Sequence, residues 1–264
     1  MNGVKQFGQG LVVVALSLVA AGAYAQAQDP QKPFQPQVGQ AGKDVVWVPT
    51  PQPTVDKMLE LTKVTAKDYV MDLGSGNGIT VITAAKKGAT AMGIEYNPDM
   101  VELSKKLAAE AGVSDKATFV KADLFEADLS KATVITMFLL PDINLRLRPK
   151  ILDLKPGTRI ASNTFTMGDW EPDERAEVKD CTSWCTALYW MVPAKVAGAW
   201  TLGQQTLTLS QQYQVVTGTL GSTPISDGKL AGEQITFTAG GQKYSGRVNG
   251  NTITGSGWTA TKTK

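Results

Sequence analysis

The 264-residue sequence contains no histidine, which removes the side chain that most often acts as a general base near neutral pH and most often ligates transition metals. Chemistry must therefore run on other groups, and no metal site is expected. Cysteine is almost absent too. Cys181 and Cys185 cannot complete a structural zinc site without histidine or a second cysteine pair. Spaced C-x3-C around a serine and a tryptophan, they read either as a small-loop disulfide or as two semi-buried thiols beside Trp184. Neither sign of charge is in excess. Lys plus Arg total 26 against 24 for Asp plus Glu, so composition gives no electrostatic case for nucleic acid or for an anionic membrane surface. What is present is ordinary for a packed protein: 42% hydrophobic residues can fill the core of one domain and a smaller companion.

The main apolar run lies in residues 1–25. Lys5 supplies a positive start, Leu11 to Ala21 is almost wholly apolar, and Ala23-Tyr24-Ala25 is a small-x-small cleavage signal before Gln26. This is the pattern of a bacterial-type signal peptide. The run is short of the ~20 residues that span a bilayer, so no stable membrane span is expected after cleavage, and the location expected is periplasmic or secreted. Residues 26–44, rich in Gln, Pro, Gly and Ala, read as a flexible leader.

Residues 45–195 alternate between short apolar strands and amphipathic helices. Strands are expected over 68–73, 90–95, 117–121, 133–139 and 159–165. Helices are expected over 79–87, 98–111 and near 144–152, with Thr54 capping an earlier helix that carries Val55, Met58 and Leu59. Such alternation implies an α/β, Rossmann-like, mostly parallel sheet with helices on both faces. From 196 to 264 the helical period disappears. Gly228–Thr236 and Gly246–Thr254 repeat the pattern G-[KR]-[LV]-x-G-x-x-I-T, and Gly240-Gly241 and Asn249-Gly250 are hairpin dipeptides. This stretch is expected to be a small C-terminal antiparallel β domain that packs on the first or curls on itself.

The chemical signal is Val70-Met-Asp-Leu-Gly-Ser-Gly-Asn-Gly78 at a strand-to-helix turn. Its glycines let backbone approach a ligand, and Asp72 at the strand end can take a cationic amine or a hydroxyl. Glu95 ends the next strand, placed to accept both hydroxyls of a ribose. Asp123 follows the third, available to the exocyclic amine of an adenine. Three acids at three successive strand ends suit an adenosine that carries an amino acid. A nicotinamide-binding turn would need Gly or Ala at position 79, where this chain has Ile79.

In order and spacing these residues resemble the class I S-adenosylmethionine (SAM)-dependent methyltransferases, over roughly residues 45 to 193. Val48-Pro-Thr-Pro51, Asp-Leu-Gly-Ser-Gly and Glu95-Tyr-Asn-Pro98 are similar to the small lysine methyltransferases that act on the ATP synthase c-ring protein and the adenine nucleotide translocase. The resemblance implies a cofactor site for SAM built from Thr50, Asp72, Gly74, Ser75, Gly76, Asn77, Gly78, Glu95, Tyr96, Asn97, Asp123 and Leu124. Asn77 stands where that family commonly carries Asp, which removes one carboxylate near the methionine moiety. The acceptor pocket is expected at Phe138, Leu139, Leu140 and Pro141, with Thr164 to Pro172, Trp170 among them, as a further wall or simply a surface turn with a packed tryptophan. Asp142 is the candidate catalytic residue, oriented with Asn144 towards an amine, or else a cap on the following helix. The function implied is methyl transfer to an amine acceptor such as a protein lysine. Because SAM is a cytoplasmic metabolite, export sets a second reading beside it: a non-catalytic binding protein on the same scaffold, whose β-rich tail meets a partner.

Overall fold

The computed structural model describes residues 34–263; the signal-like segment 1–25 and the leader up to residue 33 lie outside the described residues. Seven strands make one sheet: β1 (Tyr69–Leu73), β2 (Thr90–Glu95), β3 (Ala117–Lys121), β4 (Val134–Met137), β5 (Arg159–Asn163), β6 (Glu174–Glu177) and β7 (Thr186–Met191), in the order β3-β2-β1-β4-β5-β7-β6. β1 to β5 pair in parallel, and β7 runs antiparallel to β5 and β6. Four helices cover it: α1 (Gln52–Leu61), α2 (Ile79–Lys86), α3 (Pro98–Glu110) and α4 (Pro141–Leu152).

Neighbouring residues of a strand point to opposite faces, and here both faces are apolar. Val70 and Val134 join Val55, Leu59, Val81 and Val101 on the face covered by α1, α2 and α3. Met71, Leu73, Ile135 and Met137 join Ile143, Leu147 and Ile151 of α4 on the other. That is why the strands read as unbroken apolar runs. The strand order reverses between β1 and β4, and at such a switch point the crevice beyond the strand ends is left open for a ligand.

The helix before β1 starts differently from the expectation. Its N-cap is Pro51, with no side-chain cap, and Pro53 within the first turn presets the backbone there. Thr54 instead lies fully buried inside α1 and donates its hydroxyl to the carbonyl of Trp184, 3.0 Å away. Between β6 and β7, Cys181 and Cys185 are joined as a disulfide, which decides between the two sequence readings of that pair.

The last eight strands are β8 (Gly198–Leu202), β9 (Gln205–Gln212), β10 (Val215–Leu220), β11 (Thr223–Ala231), β12 (Gln234–Ala239), β13 (Gln242–Asn249), β14 (Thr252–Gly255) and β15 (Trp258–Lys262). They close into a barrel, β15 pairing with β8, and closure leaves no open edge. Trp200, Leu207, Leu209, Ile235, Phe237 and Ile253 fill it. The repeated stretches are the hairpins β11–β12 and β13–β14. The barrel both curls on itself and packs on the sheet: Tyr213 stacks on Trp170 and donates its hydroxyl to Asp169 at 3.0 Å, while Gln214 donates to the carbonyl of Glu171 at 2.8 Å.

Candidate active site

Beyond β1 the chain turns through Gly74 to Gly78 into α2. The turn needs glycine at two positions for both angle and space. Gly76 has φ +52°, and a Cβ there would lie 2.5 Å from Nε1 of Trp47; Gly78, the N-cap of α2, has φ +80°, and a Cβ would lie 2.7 Å from the Phe119 ring. The freed backbone is put to use. The N–H of Gly76 donates to Oε2 of Glu95 and the N–H of Asn97 to Oε1, both at 2.9 Å. These amides fix the carboxylate, which still has about two of its four acceptor sites open.

Asp72 is buried and accepts the hydroxyl of Thr136 at 2.6 Å. Burial pushes its carboxyl up to about 7, Thr136 opposes the rise, and the negative charge of Glu95 adds to it. A carboxylate in this position lacks a cation, and a cationic amine would restore its full ionisation. Asp123 is differently placed. The Lys43 ammonium donates to its Oδ2 and the N–H of Phe125 to its Oδ1, and together they hold its carboxyl below the usual carboxylate range.

These groups surround one cleft of about 1020 Å³, its open mouth included. Eleven of the twelve residues expected at the cofactor line it: Thr50, Asp72, Gly74, Ser75, Gly76, Asn77, Glu95, Tyr96, Asn97, Asp123 and Leu124. Gly78 does not, because it is packed under Phe119. Ser75 Oγ is buried without a hydrogen-bond partner. A buried acid short of a cation, a second acid with open acceptor sites, an unpartnered hydroxyl and a close-approach glycine turn together fit a cationic amino acid joined to an adenosine.

The acceptor side divides. Phe138 and Leu139 line the cleft, whereas Leu140, Pro141 and Asp142 are exposed outside it. Asp142 lies in the first turn of α4, where its charge meets the helix dipole favourably, and α4 has no side-chain cap. Asn144 is fully buried and donates to the carbonyls of Phe165 and Thr166, so it secures the segment after β5. Of the two readings of Trp170 the structure has the packed tryptophan, not the pocket wall: it is fully buried against Trp190 and Tyr213. Its large ring serves the junction with the barrel.

Sequence reasoning missed the segment over the cleft. The N–H of Gly39 donates to the carbonyl of Trp47, and the N–H of Trp47 to that of Gln40. This closed turn brings Gln40 to Trp47 to the rim and sets the Lys43 ammonium 5.1 Å from the centre of the Tyr96 ring. Pro, Gly and Gln composition hides it, since the turn rests on no periodic pattern; Lys43 at the end of the leader and Trp47 within the apolar run Val45 to Val48 are its one trace.

A seven-stranded Rossmann-like sheet with acids at the ends of three adjacent strands around one cleft is the fold of the class I SAM-dependent methyltransferases. The family model described as the ANTKMT methyltransferase domain matches residues 72–174. A protein-lysine N-methyltransferase of Saccharolobus islandicus is 44% identical over 139 residues, which cover 52% of this chain and 86% of that protein. The mouse adenine nucleotide translocase lysine N-methyltransferase is 34% identical over 105 residues, 39% of this chain and 46% of that one. Among solved structures, an RNA methyltransferase from Salinibacter ruber in complex with S-adenosyl-L-homocysteine is 46% identical with a TM-score of 0.54, covering 56% of this chain and 96% of the other. This chain belongs to that family of SAM-dependent methyltransferases.

Proposed function

We propose that the protein methylates the side-chain amine of a protein lysine, with SAM as the donor. The observation that carries this is the convergence of Asp72, Glu95 and Asp123 on one cleft that also has an apolar stretch, Met137 to Leu139 with Ile143. Asp72 would take the α-ammonium of the donor, Glu95 its ribose hydroxyls, and Asp123 with Leu124 its adenine. Bound there, SAM would supply an electrophilic methyl on a sulfonium, the acceptor nitrogen's new bond to carbon being balanced by return of the carbon–sulfur pair to sulfur. The chain's own residues have the tasks of alignment and exclusion of water. Leu139 and Ile143 keep water from the reacting end, and the amine gives up its proton to solvent, so the absence of histidine is no obstacle.

The relatives include both a protein-lysine and an RNA methyltransferase; lysine is favoured over RNA by the state of the basic helix. On α4, the Arg146 guanidinium lies over the Phe125 ring, Arg148 is engaged by Asp169 and the Met167 carbonyl, and Lys150 by the Phe125 carbonyl. Arg148 and Lys150 are thus engaged within the protein, which leaves Arg146 as the one of the three without a hydrogen-bond partner among the described residues. The disulfide supports the export reading, because such bonds persist in oxidising compartments. The test is to offer the full chain labelled SAM with unfolded lysine-rich protein in one tube and RNA in another. Label on lysine is the expected result. Label on RNA alone, or on neither, would overturn the reading, and failure to bind SAM would favour the non-catalytic alternative.

A further inference from the structure

Three aromatic rings meet beside the cleft, and the donor site uses none of them. Phe138 follows β4, Phe165 follows β5 and Trp184 precedes β7, so three neighbouring strands deliver them to one edge of the sheet. Ring centres are 5.9 Å apart for Phe138 and Phe165, 5.4 Å for Phe138 and Trp184, and 5.6 Å for Phe165 and Trp184. Phe138 lines the cleft, and Trp184 is 38% exposed. The cluster therefore runs from the cleft to solvent. Trp184 also has φ +58°, a conformation that a bulky residue seldom adopts and that persists where its surroundings over-determine it. They do so here: the disulfide closes the loop on both sides of Trp184, and Thr54 of α1 holds its carbonyl.

We propose that Phe138, Phe165 and Trp184 form the surface that receives the acceptor lysine, and that the disulfide loop holds Trp184 in it. This rests on the lysine-methylation reading above. The ring faces attract an ammonium, methylated or not, and take the alkyl chain by apolar contact. A carboxylate partner would stabilise the protonated amine strongly; uncharged rings do so far less, and the amine must lose its proton to solvent before it can accept a methyl. A loop stapled over five residues, Cys181 to Cys185, gives Trp184 a fixed place without a helix to carry it.

The test is a calorimetric titration of the full chain with a short peptide bearing one trimethylated lysine, and with the same peptide bearing its neutral tert-butyl isostere. Both are run with and without S-adenosyl-L-homocysteine, which is also titrated alone. The unaltered chain should bind the cationic peptide about fivefold more tightly than the isostere. Trp184→Ala and the double variant Cys181→Ser/Cys185→Ser should lose that preference with cofactor-product affinity unchanged, and Trp184→Phe should keep part of it. Equal binding of both peptides, or an undiminished preference in Trp184→Ala, would overturn the proposal. A chain that failed to bind S-adenosyl-L-homocysteine would count against methyl transfer instead, and the titrations without it would still decide for or against the aromatic surface. Melting temperatures of the variants identify any that fail to fold.

Discussion

One side of the cleft, at the ends of β1, β2 and β3, is made of carboxylates held by short hydrogen bonds; the other, where β4 and β5 end and β7 begins, is made of aromatic and aliphatic side chains. On the first side, Gly76 and Asn97 amides fix Glu95, and the Thr136 hydroxyl fixes Asp72. On the second, Phe138, Phe165 and Trp184 touch across three strands. The forces differ in how they fail. Removing one member of a buried polar set leaves its partners unsatisfied at full desolvation cost, whereas apolar contact is lost in proportion to the area removed. The donor side should therefore fail abruptly and the acceptor side by degrees.

The sharpest way to break that contrast is at Asp72. Asp72→Ala should weaken SAM binding by about two to three orders of magnitude, because it removes the buried counter-charge and strands Thr136; calorimetry measures this, and a loss of only a few-fold would erase the difference between the two sides. Arg159 gives a control of comparable size that should not discriminate between them. Its guanidinium pairs with buried Asp68 at the opposite ends of the strands. Arg159→Leu should lower unfolding free energy by about 3 kcal/mol in urea titration, with SAM affinity per folded molecule unchanged.

Next in size is a pH dependence. The raised carboxyl of Asp72 is half protonated at about 7, and a cationic donor binds its ionised form. SAM affinity should therefore fall by up to about tenfold for each pH unit below about 7 and level off above it, and Asp72→Asn should flatten the profile. At Asp68 it is the shift that has the opposite direction: burial pushes its carboxyl up, but the Thr65 N–H, the Thr133 hydroxyl and Arg159 outweigh that and hold it low. Its contribution is present above the unfolded carboxylate pKa and disappears as pH falls through the lower folded value, so an Asp68→Asn variant should converge with the parent in acid. The smallest effect is expected at Lys43, whose pair with Asp123 is partly solvated, the two side chains being 34% and 27% exposed. Lys43→Ala should change SAM affinity by less than about threefold.

What could be read in advance follows the same division. The donor side was legible because its chemistry is local: the turn from Asp72 to Gly78 and the acid ending the following strand are each written in a few adjacent residues. Strand ends β2 and β3 fall where apolar alternation places them. The acceptor side depends on pairing across the sheet: Phe165 lies in the segment expected as a further wall, but Trp184 carries no mark in the sequence that brings it to Phe138. For that reason the two readings of Trp170 stayed open; a tryptophan after a strand reads as a pocket wall or as packed until the barrel's Tyr213 is seen stacked on it. β6 and β7 escaped too, since Glu174–Glu177 is a polar edge strand and its pairing is long-range. In the barrel, hairpin dipeptides marked the turns, while closure between β15 and β8 joins the two ends of the region, a contact that no local pattern encodes.

The most direct measurement is a titration of SAM into the full chain beside Glu95→Ala and Trp184→Ala. Affinity in the micromolar range for the parent, abolished in Glu95→Ala and retained in Trp184→Ala, is the expected result and would locate the donor on the carboxylate side. No binding by the parent, or equal binding by Glu95→Ala, would contradict a donor site at the ends of β1, β2 and β3.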